Sequence, residues 1–257
     1  MEHDKQYDSV AAFYDACVTV DFDIPFFLDE AQRAGGPVLE LMCGSGRVSV
    51  PLLEAGVPLT CVDFSAGLLD ILERKLATRG LAADLVLSDV RKLVLPRKLD
   101  LIFVPFHSFT EVTDLDDEHE VLRRVAGHLS EDGRFICTLH NPAVRLQAID
   151  RPYGLWIKQP LPDGQGWVLL WGSQQYAPES LLVTVLEFFE CYDATGIMQA
   201  RHMVELTFRL LSREQFAAMA ERAGLVVEAL YGDYGRTQYR AAESPFMNWI
   251  LRRATAT

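Results

Sequence analysis

The chain has 257 residues, 49% of them hydrophobic and 23% charged, a balance that belongs to globular proteins and argues against disordered or fibrous classes. Its formal net charge of −12 opposes a phosphate backbone at long range, and the short basic pairs Arg123-Arg124 and Arg252-Arg253 build no patch against it, so no nucleic-acid partner is expected. No apolar run approaches the roughly 20 residues of a membrane span, and the charged start Met1-Glu2-His3-Asp4-Lys5 is followed by no apolar signal core, so no membrane partner and a cytoplasmic location are expected.

Taken in chain order, residues 7–15 space Tyr7, Val10 and Tyr14 as one face of a helix does. Strands are predicted near 37–42, 58–62, 83–88, 99–104 and 132–140, with helices near 48–55, 66–78 and 117–129. Alternation of this kind makes a parallel sheet covered on both faces. Ser65 suits the N-cap of the second of these helices and Gly80 its end. The first strand runs into Gly44-Ser45-Gly46, where backbone without Cβ atoms lets a ligand approach closely. Asp63 falls at the tip of the next strand, placed to accept hydrogen bonds from ribose hydroxyls. A dinucleotide fingerprint would need a third glycine or alanine where this chain has Ser49, so a cofactor with adenosine but no phosphate fits better. Glu40 lies inside the apolar first strand, a costly place for a charge without partners.

After residue 150 the pattern becomes alternating. Segments near 154–160, 166–176, 181–193 and 197–210 are separated by turn signals at Pro162-Asp163-Gly164, Ala177-Pro178-Glu179-Ser180 and Ala194-Thr195-Gly196, which reads as an antiparallel insertion. A helix over 213–223 between Ser212 and Gly224, a sixth core strand over 225–230 and a last strand near 245–252 complete the chain. Residues 245–250 could equally join an interface, which leaves a homodimer open. The cysteines Cys17, Cys43, Cys61, Cys137 and Cys191 are odd in number and widely spaced, and read as buried thiols. No Cys or His pair has metal-ligand spacing, so no metal is expected.

The motifs Glu40-Leu41-Met42-Cys43-Gly44-Ser45-Gly46, Val62-Asp63-Phe64-Ser65, Ser88-Asp89-Val90 and Asp100-Leu101-Ile102-Phe103 follow one another in this order. In this the chain resembles the class I methyltransferases that use S-adenosylmethionine, clearly over residues 1–140 and loosely beyond. The resemblance implies a Rossmann-like α/β fold: a seven-stranded, mostly parallel sheet with helices on both faces, and the antiparallel β insertion after the fifth strand. It divides one compact domain into a cofactor-binding part with an N-terminal lid helix (1–150), an insertion covering the acceptor site (151–211) and a return to the core sheet (212–257). It also implies that Gly44 and Gly46 cradle the methionine part of the cofactor, that Asp63 with Phe64 takes the ribose, and that Asp89 with Val90 meets the adenine. Tyr14, more than Tyr7, would close over the methionine end, where an electron-rich ring favours a sulfonium. Glu40 would hold loop amides or orient the cofactor through water.

Phe106 follows the fourth strand and is expected to wall the cofactor pocket. His107, or His140 after the fifth strand, is expected to deprotonate an acceptor, since the histidine reference pKa is near 6.5. The insertion carries Tyr153, Trp156, Trp167, Trp171, Tyr176, Phe188, Phe189 and Tyr192; those that face the cleft would suit an apolar or aromatic small molecule. Glu187, Glu190 and Glu205 could attract an amine, but are expected to serve exposed strand faces. The activity implied is methyl transfer from S-adenosylmethionine to an oxygen or nitrogen of a small-molecule metabolite, as in secondary metabolism. A carbon methyltransferase, a non-catalytic nucleoside-binding module and an NAD-dependent oxidoreductase are the alternatives.

Overall fold

The computed structural model describes residues 3–149, 152–161 and 164–254. The first half of the chain lays down α1 (His3–Cys17), α2 (Ile24–Ala34), β1 (Val38–Leu41), α3 (Ser49–Glu54), β2 (Leu59–Asp63), α4 (Ala66–Arg79), β3 (Asp84–Leu87), β4 (Leu99–Val104), α5 (Leu115–His128), β5 (Leu129–His140) and the short α6 (Pro142–Arg145). Four strands follow, β6 (Gly154–Pro160), β7 (Gly166–Ala177), β8 (Leu182–Asp193) and β9 (Met198–Arg209); then come α7 (Arg213–Arg222), β10 (Leu225–Tyr231) and β11 (Phe246–Arg253).

The seven-stranded sheet has the order β10-β11-β5-β4-β1-β2-β3, with β11 alone antiparallel to its neighbours β5 and β10. Every residue of β1 and β2 is buried, as expected of central parallel strands covered on both sides. One face packs against α2, α3 and α4 through Phe26, Phe27, Leu52, Leu69, Leu72 and Leu76. The other packs against α5 and α7 through Val121, Leu122, Val125, Phe216, Met219 and Ala220. Ser65 Oγ caps α4 by accepting from Leu68 N, Gly80 ends that helix at φ 66°, and Ser212 with Gln215 forms a reciprocal capping box on α7.

Two of the longer elements differ from the sequence-based expectation. Helix α2 occupies residues between the N-terminal helix and the first strand for which no element is predicted. Strand β5 starts at Leu129, three residues ahead of the predicted 132, because Leu129 already pairs with Leu99 before a register shift between Leu99 and Leu101. The turn at Pro162-Asp163 lies outside the described residues.

Strands β6 to β9 pair antiparallel in chain order as a separate four-stranded sheet. Its inner face carries Val168, Leu170, Phe189, Cys191 and Val204, which close over Val10, Phe13, Ala16 and Cys17 of α1. The opposite side of α1 meets the start of α4, where Asp8 Oδ1 accepts from Ser65 Oγ at 2.5 Å and from Gly67 N at 2.9 Å. Helix α1 is thus held between the two sheets. A buried ion pair fastens the second sheet elsewhere: Arg209 Nε of β9 lies 3.1 Å from Glu118 Oε1 of α5, and the same guanidinium donates to the carbonyls of Thr113 and Ser180. Among the described residues no helix is long and apolar enough to cross a membrane.

Removing Arg209 strands the fully buried Glu118. Arg209→Ala is expected to lower the unfolding free energy by about 3 kcal/mol, read by urea denaturation; a loss below about 1 kcal/mol would mean that the pair is a surface-like contact of little weight.

Candidate functional site

The carboxyl ends of the parallel strands converge where the strand order reverses between β1 and β4, the usual ligand crevice of an open α/β sheet. There the chain leaves β1 through Met42 at φ 57°, Gly44 at φ 57° and Gly46 at φ 84°, all in the left-handed region. A Cβ on Gly46 would run into Leu72 of α4. At Gly44 the same atom would point at the Tyr14 ring, 3.8 Å from Cε1, so the bare backbone faces α1. Asp63 fixes this turn. Its Oδ2 accepts from Gly44 N at 2.7 Å and its Oδ1 from Ser65 N at 2.9 Å. Burial raises the Asp63 carboxyl, and the amides of Ser65, Gly44 and Phe64 counteract that rise.

Helix α1 covers the turn and is clipped to it. Ser45 Oγ donates to Asp15, whose other oxygen lies 2.7 Å from Lys75 Nζ, and Lys75 also donates to the Ser45 carbonyl at 2.7 Å. Below the helix lies a cavity of about 410 Å³, reaching from Gly44, Asp63 and Phe64 to the inner face of the second sheet. Apolar walls come from Val10, Val18, Leu68, Ile157, Leu170, Phe189, Val204 and Leu206, with Trp156, Phe106, Tyr7 and Tyr14 adding rings. Tyr7 meets Tyr14 and Phe64 edge-on, with centroids 6.1 and 6.0 Å apart.

The carboxylates facing this cavity are Asp63, Glu111 and Glu187. Glu111 ends a 3₁₀ turn after β4 and accepts from Tyr7 Oη at 2.9 Å. Burial, with Asp63 and Glu187 adding to it against the Tyr7 hydrogen bond, pushes its carboxyl up to about 7. Burial alone pushes Glu187 up to about 7. Tyr7 and Tyr14 are raised by burial first and by Glu111 second, and stay neutral phenols. Glu187 shares the inner face of β8 with Val183, Val185, Phe189 and Cys191, all at most 5% exposed. That departs from the exposed role expected of it. Glu190 and Glu205 do lie on the other face, Glu190 beside Arg201 and Tyr192, and Glu205 exposed.

A smaller cavity of about 170 Å³ adjoins, lined by Met42, Phe64, Asp89, Val90, Arg91 and Glu111. Asp89 accepts from Arg91 N at 2.9 Å and from its Nε at 2.8 Å, while Arg91 reaches Asp117 at 2.6 Å. Although burial acts to raise Asp89, the Arg91 side chain and amide hold it below the usual carboxylate range. Glu40 sits under the glycine turn, accepts from Ser49 Oγ at 2.5 Å and is raised well above its ordinary value by burial. It lines a narrow cleft with Arg47, Tyr14 and Phe106. Arg47 stands 4.8 Å over the Phe106 ring and binds Asp23 through both oxygens. Asp23 and Arg47 carry no signal in the sequence, because their pairing joins segments 24 residues apart.

The two histidines differ most from expectation. His107 stacks on His140 at 3.7 Å between centroids and on Phe246 at 5.2 Å, and neither histidine lines the large cavity. Burial, assisted by Arg145, pushes His107 down to about 3, and burial with His107 drives His140 well below its ordinary value. Rings so placed stay neutral and are poor proton acceptors, so the structure offers no support for the base role expected of either. Sequence patterns do not single out Glu111; its one signal is its position shortly after the β4 end.

Residues 38–133 match the sequence model of a methyltransferase domain. The cypemycin N-terminal methyltransferase of a Streptomyces species is 33% identical over 109 residues, which are 42% of this chain and 44% of that protein, so the match spans under half of either. Among solved structures, an S-adenosylmethionine-dependent methyltransferase from Clostridium acetobutylicum superposes with a TM-score of 0.81 at 21% identity over 97% of this chain and 99% of its own. A sugar N-methyltransferase from Streptoalloteichus sp. superposes with a TM-score of 0.73 at 17% identity, over 95% of this chain and 91% of its own. Residues 38–133 thus match a methyltransferase domain, and the fold is that of the S-adenosylmethionine-dependent methyltransferase from Clostridium acetobutylicum.

Glu187 also shapes the pH dependence of stability. Its carboxyl holds a proton more tightly folded, near 7, than at its ordinary 4.5, so its favourable contribution is complete below about 4.5 and is lost as pH rises through 7. Glu187→Gln is therefore expected to melt above the parent at pH 8.5 and with it at pH 4, read by differential scanning fluorimetry. A variant melting below the parent at pH 8.5 would contradict the burial of this carboxyl.

Proposed function

We propose that this chain is a class I S-adenosylmethionine-dependent methyltransferase, transferring a methyl group from S-adenosylmethionine to an oxygen or nitrogen of a small-molecule acceptor by in-line displacement. The observation that carries the reading is the cavity running from the Gly44 turn and Asp63 to the apolar face of the second sheet, which gives donor and acceptor one continuous, half-open space. The residues present suit the cofactor. Gly44 presents bare backbone toward Tyr14, and the Asp63 carboxylate, which accepts from the amides of Gly44 and Ser65 and is influenced by that of Phe64, keeps lone-pair capacity for a ribose hydroxyl.

When bound, S-adenosylmethionine supplies a methyl carbon already activated by its positive sulfur. The protein's own work is alignment and exclusion of water. In this reading Gly44 and Gly46 receive the methionine end and Asp63 the ribose, with Phe64 beside it. Asp89 and Val90 face the adenine from the smaller cavity, the Asp89 carboxylate being kept ionised by Arg91. Tyr14 and Phe106 wall the reaction space, and Glu40 supports the turn from beneath through Ser49. Helix α1 and the strands β6 to β9 cover the acceptor. The ring faces and carboxylates of the cavity favour a sulfonium over a neutral sulfide. The activities in the names of the cypemycin relative and the sugar N-methyltransferase support nitrogen within the pair of acceptor atoms.

Isothermal titration of the purified chain tests this. Micromolar binding of S-adenosylmethionine and S-adenosylhomocysteine, with none of NADH, is expected; tight NADH binding or no binding of either sulfur nucleoside would overturn it. Asp63→Ala is expected to weaken S-adenosylhomocysteine by about 10-fold or more through lost hydroxyl contacts, and unchanged affinity would sink the ribose assignment.

A further inference from the structure

The second sheet is built to be apolar on its inner face, and one position breaks the rule. Along β8 the residues two apart are Val183, Val185, Glu187, Phe189 and Cys191, so the pleat sends the Glu187 carboxylate where its neighbours send hydrocarbon. Its cross-strand partners are Gly172 and Val204, neither of which can hydrogen-bond to it through a side chain. The described residues supply no hydrogen bond or ion pair to its oxygens. Glu187 is half-buried and has no partner among the described residues, whereas on the outer face Glu190 meets Arg201 and Tyr192 and Glu205 is exposed to solvent, and a carboxylate withdrawn from water without a partner is unfavourable. Gly172 leaves room on the same row, into which the Trp156 indole is laid. Trp156 and Phe189 are further walls of the cavity that Glu187 faces. The groups turned toward it from the other elements are Tyr7, Tyr14 and Cys17 of α1, Glu111 after β4 and Asp63 at the end of β2; none is cationic.

We propose that Glu187, seconded by Glu111, is the acceptor-selecting residue of this site, binding the methyl acceptor as an ammonium ion carried on an apolar body, so that the acceptor class is a primary or secondary amine. This rests on the methyltransferase reading above and narrows its choice between oxygen and nitrogen. Glu187 draws the ammonium out of water by a charge-assisted contact, and the apolar walls take the rest of the molecule. One N–H proton passes to the Glu187 carboxylate, which frees the nitrogen lone pair. That pair forms the new bond to the methyl carbon as the carbon–sulfur bond breaks, its electrons remaining on sulfur. The products are a methylated ammonium, a neutral thioether nucleoside and a protonated Glu187, which returns its proton to solvent. A carboxyl whose affinity for protons lies near neutrality is suited to both halves of that exchange. A hydroxyl acceptor would leave the same carboxylate buried opposite a neutral group.

The test is calorimetry on the full chain saturated with S-adenosylhomocysteine at pH 8, comparing phenethylamine with 2-phenylethanol, and the dipeptide Phe-Leu with its N-acetyl form. Each amine is expected to bind about 10-fold or more tighter than its uncharged counterpart; the stronger of the two amine arms tells a free small amine from a peptide N-terminus. Glu187→Gln is expected to abolish that preference while S-adenosylhomocysteine affinity stays at the parent value, and Glu205→Gln, on the outer face, to change neither. Equal binding within the pairs, no binding of any amine, or a Glu187→Gln protein that keeps the preference each overturns the proposal. Failure of the nucleoside itself to bind the parent would instead strike the cofactor reading.

Discussion

The Asp63 carboxylate, holding Gly44 N on one oxygen and Ser65 N on the other, is the contact on which the site depends. It joins the turn after β1 to the start of α4 at the end of β2, and so sets the one place where the backbone of the parallel sheet is bare. The positive φ of Gly44 and Gly46 and the collision a side chain at Gly46 would make with Leu72 show how little room that turn has. The contacts of α1 follow from it: Asp8 on Ser65 and Gly67, and Asp15 on Ser45 and Lys75, attach the helix to the two segments that Asp63 connects. Helix α1 therefore covers the crevice through polar clips on one side and through the apolar face of the second sheet on the other.

The electrostatics of the cavity follow from the same arrangement. Arg47 is occupied by Asp23, Arg91 by Asp89 and Asp117, and Arg209 by Glu118, each cation held by a carboxylate outside the large cavity. What faces the cavity is mostly apolar, aromatic or acidic, with no cationic side chain among the described lining residues. The rings and carboxylates favour positive charge, as the proposed donor sulfonium at one end and the proposed ammonium at the other require. The chain's overall −12 is thus reproduced locally where it has chemical consequence.

Much of this arrangement is legible in the amino-acid sequence, and what escapes it does so for physical reasons. Strands β1 to β4, the Ser65 cap and the Gly80 stop are readable because each is declared by neighbours along the chain. Asp63 stands out for the same reason, since strand, acid and helix start are contiguous. Helix α2 does carry a helical period, Phe26, Phe27, Glu30 and Ala31 falling a turn apart behind Pro25, but an acid, Glu30, sits in the inward stripe and disguises it. The histidines mislead because position after a strand predicts proximity to the crevice but not burial; His107 and His140 satisfy the first and lose their basicity to the second. Glu187 is the opposite case. The period of two in Val183-Val185-Glu187-Phe189-Cys191 is present in the sequence, but which face of an isolated sheet meets the core is decided by α1, whose packing no local pattern reveals.

The most direct test of this account is a crystal structure of the chain with S-adenosylhomocysteine. The account predicts a nucleoside under α1, its ribose hydroxyls on the free lone pairs of Asp63, its adenine toward Asp89 and Val90, and its sulfur turned into the cavity that Glu187 faces. A nucleoside bound elsewhere, or one whose ribose leaves Asp63 untouched, would contradict it.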